Sequence, residues 1–469
     1  MITATSPLVP DLITLDQALE LDSAQNLALH RRHLNPRIAA LFEIIGAETP
    51  LTRAEGCHVW DARGVRYLDF LSGFAALNLG HNHPAIDGAL ERTRDCCNLV
   101  EGLSPAAAAL AHNLAVLSPG RGLDRVFFAN SGAEAIDASL KLARAATGRS
   151  RIVACERGFH GRTMAALSIN STRAFREKFE PLVPHTSFVP YGDADALEQA
   201  LKQRDVAGFV VEPVQGEAGM VVPPPGYLRQ ARALCSRYGS LLIADEVQTG
   251  LGRTGRLFAV EHDDIVPDAL VLGKALGGGV MPISAVLTSE EHWKAAHGGT
   301  PRSPFQTPTF GGNTRACVAA LATLEVLLQG GLIPHAAGLG ELLLTRLREL
   351  QAKHPLMAEV SGRGLMAGIR FAAPAGGVIS SMTGGVLQRL SHDFIAGLFV
   401  LELRQTHRIL TLSTLNDPTV LRAQPPLVCT HGHVEEFVRA LDQTLTEFRD
   451  SLSAGLLKHW HLLVRALTV

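Results

Sequence analysis

The chain has 469 residues, which is too long for one simple core, so its length predicts two or three domains. Hydrophobic residues make up 46% and charged residues 19%, as in an ordinary soluble globular protein. The 43 basic and 45 acidic residues nearly cancel, with no basic stripe and no acidic tail. The composition therefore argues against a nucleic-acid partner and favours a small-molecule ligand.

Residues 1–85 form a first zone, in which a helical pattern is followed by short strand-like segments. The helical stretch is "ALELDSAQNLALHRRHL". The strand-like pieces "CHVWD" and "RYLDFLSG" are joined by the turn-prone "DARG". We interpret this zone as an N-terminal segment that also forms part of a small domain.

Residues 86–330 form a middle zone, in which short β-rich runs alternate with helical patterns such as "AEAIDASLKLARAA" and "YLRQARALCSRYG". Buried strands that alternate with helices are typical of βαβ units, so this zone is predicted to be α/β with a mostly parallel sheet. The predicted strands are "RVFFAN", "RIVACE", "GFVVEPV", "SLLIADEV" and "ALVLG".

Polar residues follow nearly every predicted strand of the middle zone. In open parallel sheets, ligands bind beyond the carboxyl ends of the strands, so these residues are the first candidates for a site. They are Asn130 to Gly132, Glu156 to His160, Glu212 and Pro213, Asp245 and Glu246, and Lys274.

Residues 331–469 form a third zone, predicted to be a C-terminal domain of mixed structure. Its helical patterns include "ELLLTRLRELQAKH" and "HVEEFVRALDQTLTEFRDSL", and "LMAGIRF" is strand-like. The last stretch, "AGLLKHWHLLVRALTV", is amphipathic without a strongly basic face, so we expect it to pack on the body or a partner subunit. No apolar run approaches the ~20 residues that span a bilayer, so no membrane partner is expected.

The cysteines and the N-terminus predict a cytoplasmic protein without a metal site. The N-terminal "MITATSPLVPDLITLDQ" has no basic region followed by a sustained apolar one, so we expect no signal peptide. The seven cysteines form no CxxC pair and no cluster with metal-ligand spacing, so free thiols in a reducing compartment are expected.

The segment "NSGAEA" (residues 130–135) follows a predicted strand and opens a predicted helix. Gly132 permits a tight turn, and the free N–H groups of a helix start attract anions, so a phosphate site is one interpretation. A plain Ser-capped helix is the other. The glycines of "TGLGRTG" (residues 249–255) match a dinucleotide fingerprint only weakly, because no clean helix follows them.

Asp245 and Lys274 each stand at the end of an apolar run. A strand-end carboxylate can cap a helix, or it can hold the proton of a basic ring nitrogen. A strand-end lysine can be a solvated loop residue, or its pKa can be lowered in a desolvated site so that the amine attacks an aldehyde. Together with a phosphate site, the pair describes pyridoxal 5'-phosphate.

The ordered motifs resemble those of the class III (omega) aminotransferases, a branch of the fold type I pyridoxal-phosphate enzymes. The resemblance runs from about residue 33 to 447 and is strongest to putrescine and other diamine aminotransferases and to ornithine-type members. It implies a large domain with a mostly parallel sheet and a smaller α+β domain from both chain ends. The motifs are "NSGAEA", "FHGRT" (159–163), "VEPVQGEAG" (211–219), "ADEVQTGLGRTG" (244–255), "LGKALGGGVMP" (272–282), "PTFGGN" (308–313) and "LRAQPPL" (421–427).

The resemblance implies roles for the residues in these motifs. Lys274 would form the Schiff base with the cofactor aldehyde, and Asp245 would pair with the ring nitrogen. Ser131, Gly132 and Ala133 would lie at the phosphate, which the backbone N–H groups of the last two would bind.

Four further cofactor contacts are implied by the same resemblance. Phe159 would stack on one face of the cofactor ring and Val247 on the other, with Gln248 near the ring hydroxyl. Thr309 would reach the phosphate held by the neighbouring subunit, which implies a homodimer with its active site at the interface.

On the substrate side, the resemblance implies that Glu212 and Glu217 line the pocket and that Glu217 pairs with Arg422. This pair would let one pocket accept both an amine-bearing chain and a carboxylate. Arg162 could instead contact a substrate carboxylate, or it could be structural. Phe74, interpreted either as a wall of the substrate pocket or as a plain core aromatic, stands where ornithine-type members have a tyrosine, so specific binding of ornithine is not expected.

Two neighbours of these residues are interpreted as structural. His160 is interpreted as a packing or supporting residue rather than a catalyst, and Glu246 as a partner in a local ion pair.

The resulting hypothesis is an aminotransferase that moves an amino group between a diamine or other ω-amino donor and an oxo acid or aldehyde. Lys274, once displaced by the donor, would be the best-placed base to move a proton between substrate and cofactor carbons. The alternatives are an ornithine- or acetylornithine-type enzyme and a biosynthetic aminotransferase acting on an aldehyde or ketone intermediate. A different reaction on the same scaffold, such as an aminomutase or decarboxylase, is a further possibility.

Overall fold

A computed structural model describes residues 12–99, 102–299, 306–372 and 386–450 of the chain. The predicted amphipathic stretch at residues 454–469 lies outside the described residues. In the N-terminal region, the helices are α1 (Leu15–Leu19), α2 (Ser23–His33), α3 (Pro36–Ile44), α4 (Ser72–Ala75) and α5 (Pro84–Arg92). The strands there are β1 (Leu51–Glu55), β2 (His58–Asp61) and β3 (Arg66–Asp69).

The middle region alternates strands with helices, as its pattern predicts. Its strands are β4 (Arg125–Ala129), β5 (Arg151–Cys155), β6 (Thr186–Val189), β7 (Val206–Val211), β8 (Leu241–Asp245), β9 (Ala269–Leu272) and β10 (Ser284–Thr288). Its helices are α6 (Pro105–Leu117), α7 (Gly132–Thr147), α8 (Met164–Ser168), α9 (Arg173–Arg176), α10 (Ala194–Leu201), α11 (Tyr227–Tyr238), α12 (Glu290–His297) and α13 (Thr314–Gln329). Short 3₁₀ turns cover Pro119–Arg121, Glu177–Phe179, Ala259–Asp263 and Lys274–Gly277.

The C-terminal region contributes three long helices and further strands. Its helices are α14 (Leu332–Lys353), α15 (Val386–Gln405) and α16 (His431–Asp450). Its strands are β11 (Met357–Arg363), β12 (Met366–Phe371), β13 (Ile409–Leu410), β14 (Leu412–Ser413) and β15 (Val420–Ala423).

The central sheet has seven strands in the order β4-β10-β9-β8-β7-β5-β6. Neighbours from β9 to β6 are parallel, whereas β10 is antiparallel to both β4 and β9. The five predicted strands of the middle zone are β4, β5, β7, β8 and β9, so the prediction of a large, mostly parallel sheet is confirmed.

The central strands β7, β8 and β9 are buried along their whole length and almost entirely apolar, because both faces of the sheet are covered there. Along β8, Leu242 and Ala244 pack into one hydrophobic cluster, while Leu241 and Ile243 pack into another. Alternate side chains therefore enter opposite layers, which explains why a buried parallel strand reads as a continuous apolar run.

Two four-stranded sheets flank the central one, with the orders β1-β2-β3-β13 and β11-β12-β15-β14. The first combines strands from both chain ends, since Ile409 and Leu410 pair in parallel with Leu68 and Asp69. The domain boundaries at 85/86 and 330/331 stay predictions. Within the described ranges, no single helix has the length and apolarity of a membrane span, although α13 and α14, bent by 66°, meet those criteria as a pair.

Candidate active site

A cavity of about 190 Å³ lies at the carboxyl ends of the central strands. Strands β7, β8 and β9 are adjacent and parallel, so the residues that follow them meet at the same edge of the sheet. Nine of the eleven residues that line the cavity were proposed as site residues from the sequence, and His160 and Gly161 complete the set. The nine are Gly132, Ala133, Phe159, Glu212, Glu217, Asp245, Val247, Gln248 and Lys274.

Lys274 enters the cavity two residues after β9, at the start of a 3₁₀ turn. Its backbone is left-handed, with φ of 43°, a conformation that costs a non-glycine residue about 1 kcal/mol or more. Burial lowers the pKa of its amine, and the charges of Asp245, Glu217 and Glu212 oppose that shift. A lower pKa increases the neutral fraction of the amine, which is the form that attacks an aldehyde.

Asp245 is the last residue of β8, and hydrogen bonds fix both of its carboxylate oxygens. Oδ1 accepts the backbone N–H of Val247 at 3.1 Å, and Oδ2 lies 2.7 Å from Nδ1 of His160. Burial alone would lower the pKa of His160, but the hydrogen bond and charge of Asp245 raise it above its ordinary value. The imidazole therefore acts as a donor that orients the carboxylate.

The helix α7 begins at the cavity with a complete capping box. The Ser131 hydroxyl accepts the N–H of Glu134 at 3.2 Å, while the Glu134 carboxylate accepts the N–H of Ser131 at 3.2 Å. The N–H groups of Gly132 and Ala133 belong to the first turn, where amides have no intrahelical acceptor. They can therefore bind an anion at the positive end of the helix.

Gly132 also allows the helix start to approach the next side chain of the site. A Cβ at this position would lie 2.8 Å from Cγ1 of Val247, which is closer than carbon atoms can pack. Gly161, on the neighbouring loop, has φ of 131°, and a Cβ there would lie 2.5 Å from Cβ of Ala133. Small residues are thus required where the loop and the helix start meet.

Phe159, Val247 and Gln248 complete the cofactor side of the cavity. The backbone N–H of Phe159 donates to Oε1 of Glu212 at 2.9 Å. The Gln248 amide approaches the backbone oxygen of Phe74 at 3.5 Å. Gln248 packs so closely on Gly216 that a Cβ there would lie 1.5 Å from its Oε1.

Glu217 and Arg422 form a buried ion pair of 2.6 Å, with side chains 12% and 1% exposed. Burial would raise the pKa of Glu217, but Arg422 and the N–H of Leu415, at 2.9 Å, hold it below its ordinary value. The Arg422 guanidinium also lies 4.9 Å from the ring centroid of Phe74. Phe74 therefore contacts the ion pair without lining the cavity itself.

Two proposed site residues lie away from the cavity. Thr309 lines a separate cavity of about 780 Å³, together with Leu103 and Phe128. Arg162 is exposed and lies over the rings of Phe159, at 5.8 Å, and Phe175, at 5.5 Å. Within one subunit, neither residue reaches Lys274's cavity.

Glu246 corrects one expectation, because its contacts are not those of an ion pair. Its carboxylate accepts the N–H groups of Ala259 at 2.7 Å and Val260 at 2.8 Å, and the hydroxyl of Thr249 at 3.2 Å. Burial raises the pKa of this carboxyl to about 7. An acidic side chain next to a strand end thus caps a 3₁₀ turn, which one sequence cannot distinguish from pairing with a cation.

Comparison with known proteins gives the class of the chain. Residues 46–445 match the family model of class-III aminotransferases, so the chain belongs to this family. The aminotransferase PigE of Serratia sp. (strain ATCC 39006) is 37% identical over 92% of this chain. That match covers 55% of PigE, so the chain spans about half the length of this curated relative.

Solved structures give the same class. The ornithine aminotransferase of Toxoplasma gondii ME49 is 32% identical, with a TM-score of 0.81 over 93% of this chain and 98% of that one. The acetylornithine aminotransferase of Elizabethkingia anophelis is also 32% identical, with a TM-score of 0.73 over 91% of this chain and 100% of that one. The predicted class III membership and fold type I architecture are confirmed.

Pyridoxal phosphate is the cofactor of this family, and a structure of the Toxoplasma enzyme is described with it at the active site. The residues present here fit it, because a buried amine, a fixed carboxylate and free helix-start amides line one cavity. When bound, the cofactor supplies an aldehyde for condensation with amines and a ring that accepts electrons. Lys274 would hold the aldehyde carbon, Asp245 the ring nitrogen, and Gly132 and Ala133 the phosphate.

Proposed function

We propose that the chain transfers an amino group between a diamine or another ω-amino donor and an oxo acid or aldehyde. The observation that carries this proposal is the Glu217–Arg422 ion pair beside Lys274. While Arg422 is held by Glu217, it is not free to bind a substrate carboxylate. A donor that carries a second amine, and no carboxylate near the reacting carbon, suits this arrangement.

Lys274 would carry the proton during transfer. Its amine lines the cavity with the carboxylates of Asp245, Glu212 and Glu217. Burial lowers the pKa of Lys274, so its Nζ can accept a proton from the donor carbon and return it elsewhere. Asp245, held by His160 and Val247, would bind the ring nitrogen of the cofactor and so keep the ring in one orientation.

The acceptor would use the ion pair differently. A carboxylate that displaces Glu217 would gain the Arg422 guanidinium, whose fork suits bidentate binding. Glu217 would not be left without a partner, because the N–H of Leu415 already donates to its Oε2 at 2.9 Å. The same pocket would then alternate between an amine substrate and an oxo acid.

An ornithine- or acetylornithine-type enzyme is the second candidate. It is favoured by the names of the two solved structures, which are an ornithine and an acetylornithine aminotransferase. Phe74 argues against it, because a phenyl ring lies over Arg422 at 4.9 Å and offers no hydroxyl to a second polar group of the donor.

We also propose a homodimer in which Thr309 completes the partner's phosphate site. In support, Thr309 lies in its own cavity, which exposed Leu99 and Leu103 also line, and exposed Phe310 follows it directly in the chain. A reducing, cytoplasmic location is proposed because all seven cysteines are free. The partners would be an amine donor and an oxo acceptor, without nucleic acid or membrane.

Two measurements test the proposal. The purified protein should be yellow, and borohydride should remove the visible absorption band and leave the cofactor covalently attached to Lys274. A colourless protein that takes up no pyridoxal phosphate would refute the proposed function. A donor panel of putrescine, cadaverine, ornithine and acetylornithine, each with 2-oxoglutarate and pyruvate, tests the substrate class. We expect a diamine to give the highest kcat/KM, and ornithine exceeding every diamine would favour the second candidate.

A further inference from the structure

Glu212 connects two segments on different sides of the cavity. It follows β7, and its Oε1 accepts the N–H of Phe159 at 2.9 Å while its Oε2 accepts the N–H of Gly216 at 3.0 Å. Phe159 forms a wall of the cofactor side, and Gly216 directly precedes Glu217. One carboxyl group therefore sets the separation of the cofactor wall from the substrate wall.

The backbone around Glu212 is fixed independently of its carboxyl group. The Tyr191 hydroxyl lies 3.0 Å from the backbone oxygens of both Glu212 and Pro213. The Gln215 side chain donates to the backbone oxygen of Glu156 at 2.9 Å. A change in the Glu212 carboxyl would therefore move the segments that it holds more readily than the strand from which it extends.

The charge state of this carboxyl is open to change near neutral pH. The ionisable groups that face it are His160, Asp245, Lys274, Tyr191 and Cys155. Throughout the described ranges, no lysine, arginine or histidine atom lies within ion-pair distance of it, so its direct partners are backbone amides. Burial raises the pKa of Glu212 to about 7.

An ionised carboxylate accepts hydrogen bonds at both oxygens, whereas a protonated one carries a hydrogen on one of them. The protonated oxygen is a weaker acceptor, so one of the two hydrogen bonds is weakened or lost. We propose that Glu212 is a positioning residue that holds the Phe159 and Gly216 segments together only when it is ionised. Acidification would then loosen the two walls of the cavity against each other while the carboxyl stays buried, a local change distinct from global unfolding, in which the carboxyl becomes exposed to water.

Amide hydrogen exchange of the full-length holoenzyme tests this proposal. After correction for intrinsic rates, the backbone amides of residues 157–161, of residues 215–218, or of both should exchange about tenfold more slowly as pH rises through about 7. In Glu212→Gln, the side-chain NH₂ faces one of the two backbone N–H groups and cannot accept its hydrogen bond. Protection of these backbone amides should therefore stay low at every pH. Wild-type protection that does not depend on pH between 5.5 and 8.5 would overturn the proposal.

Glu246→Gln is the matched control. Glu246 is also buried and also accepts two backbone N–H groups, but it does not line the cavity. This variant should lose the pH-dependent protection of residues 259–260 and keep that of residues 157–161. Retention of the transition in Glu212→Gln would also overturn the proposal. If that variant does not fold, the wild-type and Glu246→Gln titrations still decide it.

The relevance of this loosening to catalysis rests on the proposed aminotransferase function, but the exchange experiment does not. It uses no amine donor and no acceptor, so it can succeed when every tested substrate fails. Conversely, rapid amino transfer with pH-independent protection would leave the function intact and remove Glu212 from this role.

Discussion

The imidazole Nδ1 of His160 lies 2.7 Å from Oδ2 of Asp245, and the two side chains are 1% and 5% exposed. The backbone N–H of His160 donates to Oδ1 of Asn170 at 2.9 Å, which fixes the backbone that carries the imidazole. Among the described residues, no group is positioned to bond its buried Nε2. Besides the local N–H of Val247, the orientation of Asp245 therefore depends on one imidazole N–H from a segment 85 residues away.

This relationship predicts different outcomes for two substitutions of His160. In His160→Asn the side-chain NH₂ can occupy the position of Nδ1, whereas His160→Phe fills the space without a donor. A hydrogen bond to a charged group contributes about 1.5–3 kcal/mol, so we expect the Phe variant to bind pyridoxal phosphate roughly ten- to a hundredfold more weakly. Equilibrium titration of the cofactor measures this, with absorbance spectra recorded against pH.

His160→Asn should stay within a few-fold of the wild-type affinity and keep its spectral pH dependence. Equal losses in the Asn and Phe variants would show that packing of the ring, and not its N–H, is what Asp245 requires.

The Glu217–Arg422 pair predicts a change of substrate selectivity. Arg422→Met would leave the diamine half-reaction within tenfold but lower kcat/KM for 2-oxoglutarate by about a hundredfold, because truncating a buried charge partner costs 2–5 kcal/mol. Separate kinetics of the two half-reactions measure both effects.

Arg162→Met is the matched control, since Arg162 is the other candidate for binding a carboxylate. It is exposed and stacks on Phe159 and Phe175 outside the cavity, so its loss should change neither half-reaction by more than a few-fold. If Arg162→Met, and not Arg422→Met, abolishes use of 2-oxoglutarate, the assignment of the carboxylate site is reversed.

A third prediction concerns Arg253, which is completely buried between three parts of the chain. Its guanidinium donates to Asn78 at 2.6 Å, to the Leu365 oxygen at 3.0 Å, and to the Pro425 oxygen. Arg253→Met would leave these buried acceptors unsatisfied, at about 1–3 kcal/mol for each, so we expect the free energy of unfolding to fall by several kcal/mol.

Urea denaturation of the holoenzyme measures the effect, with Arg173→Met as control. The Arg173 side chain is 89% exposed, so this change should alter stability by less than about 0.5 kcal/mol. Equal stabilities of the two variants would mean that the Arg253 contacts do not clamp the three segments.

The strand ends could be predicted from sequence because strands buried on both faces are recognisable as apolar runs. Asp245 and Lys274 follow such runs directly, so their placement required no knowledge of distant contacts. Strands β6 and β10 were not predicted, since "TSFV" and "SAVLT" carry polar residues and resemble loops or edges.

The contacts that orient the site could not be found in this way. His160 meets Asp245, Glu212 meets Phe159, and Arg253 meets Pro425 across separations of 85, 53 and 172 residues. Each pairing is set by how helices and loops pack, not by a local pattern. Gly161 did carry a local signal, a glycine directly after "FH", but its need for φ of 131° is visible only in the folded chain.

The last prediction is a pH dependence of stability that arises from Glu246. Burial raises the pKa of this carboxyl from 4.5 to about 7 in the folded chain. The folded state therefore binds its proton more tightly than the unfolded state does. The resulting stabilisation is complete below pH 4.5 and is lost as pH rises from 4.5 through about 7.

The shift corresponds to about 3 kcal/mol between the two ends of this window. Glu246→Gln has no carboxyl to titrate at this position. Between pH 4.5 and 7 its free energy of unfolding should therefore fall less than that of the wild type, by up to about 3 kcal/mol. Urea denaturation at closely spaced pH values measures the slope. Glu212, whose pKa is also raised to about 7 by burial, should add a slope of the same sign that Glu246→Gln leaves in place. Identical slopes in the wild type and Glu246→Gln would show that the carboxyl is already ionised throughout this window.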